Sequence, residues 1–214
     1  MDIKEITSKV DHTLLSTTAT EKEIFELCDE AIKFDAASVC IPPCYVSVAK
    51  KYVGEKMKIC TVIGFPNVYH TLGTKCFDAE DAIKNGADEI DMVINVARLK
   101  NGEADFVFDE ICALREICKD KDLKVIVETC LLTEDEKRIL CNLVTEAKAD
   151  FIKTSTGFST GGATLEDIRL FKACVGENVK IKASGGIHSA EQAEEFIDVG
   201  ADRIGASKVI KGLL

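Results

Sequence analysis

Long apolar runs are missing from this sequence, and so is any surplus of basic residues. No window approaches the roughly 20 apolar residues of a membrane-spanning helix, and the N-terminal stretch MDIKEITSKVDHTLL lacks the basic segment and apolar run of a secretory signal. The formal net charge of −10 disfavours nucleic acid, whose binding requires a basic face. We therefore expect a cytoplasmic protein that binds neither membranes nor nucleic acid and holds any anion in a local pocket.

Histidine is scarce, and no two cysteines have CxxC spacing, although the chain contains 10 cysteines and 3 histidines. Zinc sites pair such residues at short, regular spacings, and disulfide frameworks occur mainly in small secreted chains. The sequence thus predicts no metal, no cofactor and no disulfides. Five cysteines in apolar periodic segments are predicted to be reduced and buried: Cys40, Cys60, Cys112, Cys130 and Cys141.

An internal repeat organises the chain. FDAASVC at Phe34, GADEID at Gly86, KADFIK at Lys148 and GADRIG at Gly200 each place small residues before a short β-branched run, about fifty to sixty residues apart. A helical pattern precedes each copy, so the small residue predicts a helix C-cap and the run that follows predicts a strand. No linker or low-complexity segment interrupts the pattern, which indicates a single domain over residues 1–214.

Four further strands lie between the repeats, beginning near Lys9, Lys58, Leu123 and Val179. Helices are predicted at 20–34, 43–53, 75–85, 104–119, 134–147, 165–175 and 190–199. Strict alternation of strands and helices predicts a parallel sheet, and eight units predict a closed (β/α)₈ TIM barrel. An open, doubly wound sheet is the alternative, because periodicity alone does not establish closure.

Charged residues stand at the ends of three predicted strands. Alternation along EIDMVIN directs Ile90 and Met92 toward the helices and Asp91 into the barrel. The same alternation directs Lys153 and Lys182 inward. Alone, either lysine is typical of a side chain whose ammonium reaches water, and Asp91 is typical of a structural counter-ion. Together at neighbouring strand ends, they predict an active site, because such barrels carry theirs at the carboxyl ends of the strands.

Two adjacent ammonium groups are unfavourable unless the chemistry uses them. At about 6 Å and an effective dielectric of ~20 they repel by roughly 3 kcal/mol, which lowers the pKa of one lysine by about two units. A neutral amine can then capture a carbonyl as a Schiff base. We predict that Lys153 is this amine, that Lys182 depresses its pKa and transfers protons, and that Asp91 is a proton donor and acceptor.

Glycine-rich loops follow the last three strands and predict a phosphate site. TSTGFSTGGAT, ASGGIHS and IGASK offer backbone N–H groups near helix starts, where anions bind. A lone Gly-Gly pair more often marks a tight turn, but three such loops at adjacent strand ends are more specific. The predicted phosphate-binding residues are Gly157, Gly185, Gly186, Gly205 and Ser207.

Several motifs, in order and over nearly the whole chain, resemble those of deoxyribose-phosphate aldolases. They are DHTLL, SVCIPPCYV, VIGFPN, GADEIDMVIN, VIVETCLLT, FIKTSTGF, IKASGGI and RIGAS. The resemblance implies a class I aldolase that reversibly cleaves 2-deoxy-D-ribose 5-phosphate to acetaldehyde and D-glyceraldehyde 3-phosphate without a metal. It implies the same roles for Lys153, Asp91 and Lys182, and a small phosphorylated sugar as the substrate. The sequence does not determine the oligomeric state, for which a homodimer is one hypothesis.

The sequence departs from that family pattern at a few positions. Phe158 stands where some relatives have lysine, Lys208 replaces a small residue, and His188 stands where arginine is frequent. A longer tail ending in tyrosine is absent. His12 and Thr13 end the first strand, where they either contact substrate or, for His12, form a hydrogen bond in the core.

Two other functions remain open at this point. A different class I aldolase would share the fold and the lysine but release other aldehydes. A catalytically silent sugar-phosphate binding protein would use its lysines only as charged anion ligands.

Overall fold

Eight parallel strands form the centre of the protein, and the computed structural model describes all 214 residues. The strands are β1 (Val10–Thr13), β2 (Ser38–Ile41), β3 (Ile59–Ile63), β4 (Glu89–Val93), β5 (Asp122–Ile126), β6 (Phe151–Lys153), β7 (Lys180–Ser184) and β8 (Arg203–Ala206). Each strand pairs with the next, and β8 pairs back with β1, with Gly205 opposite Asp11. The predicted (β/α)₈ barrel is therefore confirmed, and the open sheet is excluded.

Nine helices accompany the strands. They are α1 (Ile3–Thr7), α2 (Glu21–Lys33), α3 (Val46–Val53), α4 (Leu72–Lys84), α5 (Val96–Lys100), α6 (Ala104–Cys118), α7 (Glu134–Glu146), α8 (Leu165–Cys174) and α9 (Ala190–Asp198). Single 3₁₀ turns lie at Pro43–Tyr45, Thr129–Leu131 and Lys211–Leu213. None of the helices combines the length and the apolar character that crossing a bilayer requires.

All seven predicted helices are present, with changes at two starts. The segment predicted at 43–53 begins as a 3₁₀ turn at Pro43 before α3. Helix α4 starts before the predicted Lys75, because the Thr71 side chain accepts a hydrogen bond from Thr74 N–H and caps the first turn. The short helices α1 and α5 were not predicted, since five residues give too little periodicity.

The aspartates of the sequence repeat connect neighbouring strands. The Asp88 carboxylate accepts from the backbone N–H of Ile59 at 3.0 Å, that of Asp150 from Leu123 at 2.8 Å, and that of Asp202 from Ile181 at 2.9 Å. In each case the aspartate N–H also donates to the carbonyl of the same partner residue. These aspartates therefore fix the register of β4, β6 and β8, each against the strand before it, whereas the copy before β2 has Ala37 at this position.

The apolar core lies between the strands and the helices. It is one cluster of 49 buried residues that includes Ile90, Met92, Ile152 and Ile181, as alternation predicts. Inside the barrel, a separate small cluster consists of Cys40, Cys60 and Val62, and Phe151 is buried beside Lys124 and Arg203. Barrel interiors are usually filled by branched aliphatic side chains. Here most of that space is available to charged groups, and these form the candidate active site.

Candidate active site

Asp91 of β4 contacts both of the predicted lysines inside the barrel. The Nζ atom of Lys153 lies 2.7 Å from Asp91 Oδ2, and the Nζ atom of Lys182 lies 2.6 Å from the same oxygen. The two lysines are cross-strand partners in the β6–β7 pairing. Asp91 and Lys182 are fully buried, and Lys153 is 3% exposed. The structure thus brings the three predicted catalytic residues together around one carboxylate oxygen.

Lys124 and Asp11 belong to the same cluster, although the sequence analysis did not identify them. Lys124 of β5 donates to Asp91 Oδ1 at 2.8 Å and lies 2.7 Å from Glu89 Oε2. Asp11 of β1 lies 2.5 Å from the Nζ atom of Lys182. Lys124 sits between the outward-facing Leu123 and Val125, and Asp11 sits between Val10 and His12, so the alternation that identified Asp91 also points to them. Their contact with the cluster depends on strand register, which pairs Lys124 with Asp91 across β4 and β5 and which the sequence does not give.

An arginine completes the charge network on the opposite side of Asp11. Arg203 of β8 donates to Asp11 Oδ1 at 2.6 Å and to Glu89 Oε2 at 3.0 Å. With Arg203 and the three lysines, four cations face the three carboxylates of Asp11, Glu89 and Asp91. Among these seven groups one cation is in excess, and Lys58 adds a further cation 3.5 Å from Glu89 Oε1, so loss of a proton from one lysine reduces the excess positive charge.

Nearby opposite charges shift the pKa values of Asp91 and of two of its lysine partners more strongly than burial does. Burial alone would raise the pKa of Asp91, but Lys124, Lys153 and Lys182 outweigh burial and hold that pKa well below its ordinary value. Burial alone would lower the pKa of Lys182, but Asp11 and Asp91 hold it above its ordinary value. The pKa of Lys124 is raised against the effect of burial by carboxylates that include Asp91. At neutral pH, Asp91 is therefore ionised, and Lys182 and Lys124 are charged.

Lys153 differs from the other two lysines in reaching a cavity. A cavity of about 470 Å³ opens at the carboxyl ends of the strands, and its lining includes Lys153 but neither Lys124 nor Lys182. A small phosphorylated sugar fits within this volume. Of the clustered ammonium groups, Lys153 is thus the one that can meet a ligand directly.

The same cavity is lined by all five residues predicted to bind phosphate. Gly157 follows β6, Gly185 and Gly186 follow β7, and Gly205 and Ser207 lie at the end of β8. Gly185 and Gly186 have φ of +86° and +80°, a conformation that residues with a Cβ rarely adopt. Their backbone N–H groups donate no hydrogen bond within the protein, so both are available to an anion.

The β6–α8 loop packs directly on these glycines. The N–H of Ala163 donates to the carbonyls of Ser184 and Gly185 at 3.0 and 3.1 Å. A Cβ placed on Gly162 would lie 2.3 Å from the Gly185 carbonyl oxygen. Two backbones therefore meet at a distance that only glycine at this position permits, and the contact fixes one wall of the cavity.

Comparison with known proteins decides the family. The family model described as DeoC/LacD family aldolase matches residues 6–214. The chain belongs to this aldolase family. It is 58% identical over 211 residues to a deoxyribose-phosphate aldolase of Streptococcus pyogenes serotype M4, covering 99% of this chain and 95% of that protein.

Solved structures agree with this assignment. A putative deoxyribose-phosphate aldolase from Coccidioides immitis is 39% identical, with a TM-score of 0.95 over 100% of this chain and 87% of that chain. A deoxyribose phosphate aldolase from Aeropyrum pernix, described as tetrameric, is 29% identical, with a TM-score of 0.92 over 99% of this chain and 92% of that chain. The protein is accordingly an aldolase, a lyase built on a TIM barrel.

Cysteines contribute to the interior of this aldolase. The Cys60 thiol donates to Asp91 Oδ1 at 3.1 Å, and burial holds the pKa of Cys60 well above its ordinary value, so it is a neutral donor. All 10 cysteines are free. The prediction that five of them are buried holds for Cys40, Cys60 and Cys141. It is wrong for Cys130, which is exposed, and for Cys112, which is partly exposed on α6.

Two groups of cysteine and carboxylate side chains, which are residue types that bind metals, overlap with this charge network. Cys40, Cys60 and Asp91 lie within 4.8 Å of one another, as do Asp11, Cys60 and Glu89. Both oxygens of Asp91 already accept from lysines, and an added cation would face the same ammonium groups. The groups are therefore suited to a salt-bridge network, and the absence of a bound metal remains a prediction.

The residues that depart from the family pattern occupy different places. Phe158 and His188 line the cavity, and the Phe158 ring meets Phe65 edge-on with the centroids 5.4 Å apart. Lys208 is exposed and does not line the cavity. His12 is fully buried and pairs with Glu30 of α2 at 2.7 Å, which makes it a structural histidine on the helix side of β1. Thr13, its neighbour, does line the cavity.

Proposed function

We propose that this aldolase reversibly cleaves 2-deoxy-D-ribose 5-phosphate to acetaldehyde and D-glyceraldehyde 3-phosphate through a Schiff base on Lys153. The position of Lys153 carries the proposal: it is the one lysine of the buried cluster that lines the cavity, with its Nζ 2.7 Å from Asp91. The names of the relatives support the substrate, which deoxynucleoside breakdown would supply.

The reaction follows from the chemistry of a neutral amine. The Lys153 amine adds to C1 of the open-chain sugar, and loss of water gives an iminium ion. The C3 hydroxyl gives up its proton, the C2–C3 bond breaks, and its electron pair moves toward the iminium, which leaves an enamine and free glyceraldehyde 3-phosphate. Protonation of the enamine at C2, followed by hydrolysis, releases acetaldehyde and restores the amine.

Lys182 has two roles in this scheme. Its ammonium group is held charged by Asp11 and Asp91, so the repulsion between it and Lys153 favours the neutral form of the Lys153 amine. The excess positive charge in the cluster acts in the same direction. The Lys182 ammonium also serves as an acid in proton transfer, because it shares the Asp91 oxygen with Lys153.

Asp91 is the proton acceptor and donor that links the two lysines. Its Oδ2 lies within hydrogen-bond distance of the Nζ atoms of Lys153 and Lys182, while Oδ1 is occupied by Lys124 and Cys60. Lys124 thus orients the carboxylate and leaves one oxygen for the proton relay. A carboxylate in hydrogen-bond reach of the reacting amine is the arrangement that general acid–base catalysis requires.

The phosphate binds at the opposite end of the cavity from Lys153 in this proposal. The free N–H groups of Gly185 and Gly186, at the loop that leads into α9, are the main donors. Gly157, Gly205 and Ser207 complete the wall, and Ser207 offers a hydroxyl. Phe158 stands where some relatives have lysine, so this chain lacks a cation at that position. Most of the anion binding therefore comes from backbone groups.

Reduction of the Schiff base tests the proposal. Borohydride added with acetaldehyde should inactivate the enzyme and place an N-ethyl group on Lys153, which blocks tryptic cleavage there and yields the peptide 149–169. Lys153→Met should incorporate no label, whereas the control Lys180→Met, at the exposed start of the neighbouring strand β7, should be labelled like the wild type. A label found only on another lysine would refute the assignment. No label at all would instead favour a sugar-phosphate binding protein.

The same proposal covers compartment and partners. Schiff-base chemistry needs no metal or cofactor, so a chelator should leave turnover unchanged. Ten free cysteines suit the reducing cytoplasm.

The substrate is a small phosphorylated sugar, and neither nucleic acid nor membrane takes part. The tetrameric relative supports self-association, for which we propose a homodimer that sedimentation velocity would detect.

A further inference from the structure

One buried hydroxyl faces the cavity without a partner. The side-chain oxygens of Thr129, Ser155 and Ser184 are buried and form no hydrogen bond within the protein. Of these three residues, only Ser184 lines the cavity, and it is 4% exposed. A buried hydroxyl without a hydrogen-bond partner is unfavourable. At the wall of a cavity, a polar group of a bound ligand can supply that partner.

The backbone around Ser184 is fully bonded, which fixes where the hydroxyl lies. The Ser184 N–H donates to Thr154 Oγ1 at 3.1 Å, and its carbonyl accepts from Thr154 Oγ1 at 3.1 Å and from Ala163 N–H at 3.0 Å. Gly205 of β8 supplies the space beside the hydroxyl, because a Cβ there would lie 2.3 Å from Ser184 Oγ. The strand and the neighbouring glycine thus hold a buried hydroxyl without a protein partner in the wall of the cavity.

Ser184 stands between the two ends of the proposed substrate. Along β7, Lys182 precedes it by two residues on the same face, and the phosphate-binding glycines Gly185 and Gly186 follow it immediately. The substrate carbons between the Schiff base at C1 and the phosphate at C5 carry hydroxyls at C3 and C4. The C3 oxygen must meet the proton relay around Asp91, which leaves the C4 hydroxyl for the position next to the phosphate loop.

We propose that Ser184 Oγ hydrogen-bonds the C4 hydroxyl of deoxyribose 5-phosphate, which is the α-hydroxyl of glyceraldehyde 3-phosphate in the synthetic direction. This inference rests on the proposed function. It makes Ser184 a specificity-determining residue that favours acceptor aldehydes with an α-hydroxyl over those without one. A site that hydrogen-bonds a substrate hydroxyl discriminates against analogues that lack it, because the protein group is then left unpaired.

Acceptor aldehydes with and without the hydroxyl test the inference in the synthetic direction, with acetaldehyde as donor. Ser184→Ala should lower kcat/KM about tenfold for glyceraldehyde 3-phosphate, D-glyceraldehyde and glycolaldehyde, and should leave propanal unchanged. Ser155→Ala, which removes an unpaired buried hydroxyl that does not line the cavity, is the matched control and should leave all four acceptors within about twofold.

Equal losses on propanal and glycolaldehyde would overturn the inference, since Ser184 would then act on the newly formed oxygen or on the shape of the site. No loss on any acceptor would also overturn it. Thermal melting checks folding: the free Ser184→Ala variant should melt at or above the wild-type temperature, because it loses an unsatisfied hydroxyl. Borohydride trapping with acetaldehyde, which has no hydroxyl, should still label Lys153 in this variant. Failure of trapping in the wild type would count against the proposed function and not against Ser184 alone.

Discussion

Lys153 is distinguished from the other buried lysines by its position relative to the cavity and to Asp91. Lys124 contacts three carboxylates and Lys182 contacts two, whereas the only carboxylate that Lys153 contacts is Asp91. Lys153 is also the one lysine of the three that lines the cavity, where a ligand can reach it. In the proposed function, reactivity at this residue arises from its neighbours, because an isolated lysine is protonated near neutral pH.

Substitution of Lys182 by methionine tests how the neighbours act. Lys182→Met keeps the side-chain length and deletes the charge, so Lys153 loses a repelling cation and shares Asp91 with one competitor fewer. Both changes favour the ammonium form of Lys153. The acidic limb of the pH profile of kcat/KM should therefore move to higher pH, by about two units for roughly 3 kcal/mol of lost repulsion.

Raising the pH should restore part of the activity of that variant. The part that is not restored measures proton transfer by Lys182 itself, so the two roles are separable. Lys180→Met, which deletes a charge at the exposed start of β7, should leave the pH profile of kcat/KM unchanged. An activity loss with no movement of the acidic limb would mean that Lys182 acts only in proton transfer or binding.

Residue-level prediction from sequence succeeded where the pattern was strong. Alternation along β4, β6 and β7 was enough to place Asp91, Lys153 and Lys182 in the barrel, because one register decides which face each residue occupies. The balance of charges could not be obtained in the same way. The estimate from two lysines and one carboxylate omitted Lys124, Asp11 and other partners, whose contributions depend on distances that sequence does not contain.

At the scale of elements, loops rather than strands determine the phosphate end of the cavity. The β6–α8 loop and the loop after β7 meet through Gly162 and Gly185, backbone against backbone. The sequence indicated glycine-rich loops at these strand ends but not their mutual contact. Contacts between loops depend on the closed barrel, which brings β6, β7 and β8 side by side.

Gly162→Ala should disturb this contact. The added Cβ would lie 2.3 Å from the Gly185 carbonyl oxygen, so one of the two loops must move. We expect a loss of about 1–3 kcal/mol in the free energy of unfolding, as for overpacked sites. Because the N–H groups of Gly185 and Gly186 move with the loop, KM should rise about tenfold for deoxyribose 5-phosphate and much less for unphosphorylated deoxyribose.

Gly73→Ala is the control for that substitution. Gly73 lies in α4 with nothing within 4 Å of an added Cβ, so alanine should stabilise the protein by about 0.5–1 kcal/mol and leave both KM values unchanged. Equal increases of KM for the two sugars in Gly162→Ala would place the phosphate elsewhere in the cavity.

On the scale of the whole molecule, the barrel replaces part of its usual apolar filling with charge. Asp11, Glu89 and Asp91 are fully buried in the barrel with Lys124 and Lys182, while the large apolar cluster of 49 residues lies between the strands and the helices. Buried ion clusters seldom add stability over apolar side chains of the same size. In the proposed function, this interior charge serves a reactive amine at a cost in stability, while the aspartates of the repeat connect the strands outside the site.

Stability in acid should report this interior charge directly. Lysines and Arg203 lower the pKa of Asp91 and, against burial, that of Asp11 below the ordinary value of about 4. A carboxylate with a depressed pKa in the folded state stabilises the protein above its unfolded pKa, and this contribution is lost as the pH falls below about 4. Each such group adds about 1.4 kcal/mol of unfolding free energy per pH unit, so the two together predict a slope of roughly 2.7 kcal/mol per unit below pH ~4.

Chemical denaturation at a series of pH values measures this slope. The raised pKa values of Lys124 and Lys182 act in the opposite pH range: their stabilisation is complete below about pH 10 and constant through the acid limb. Asp91→Asn should be less stable at neutral pH, because its lysines lose a partner, and its acid slope should be lower by about 1.4 kcal/mol per unit. Asp120→Asn, at an exposed carboxylate, should retain the wild-type slope. If Asp91→Asn also retained it, the carboxylate would not be the ionised centre of the cluster, and the relay between Lys153 and Lys182 would need a different proton acceptor.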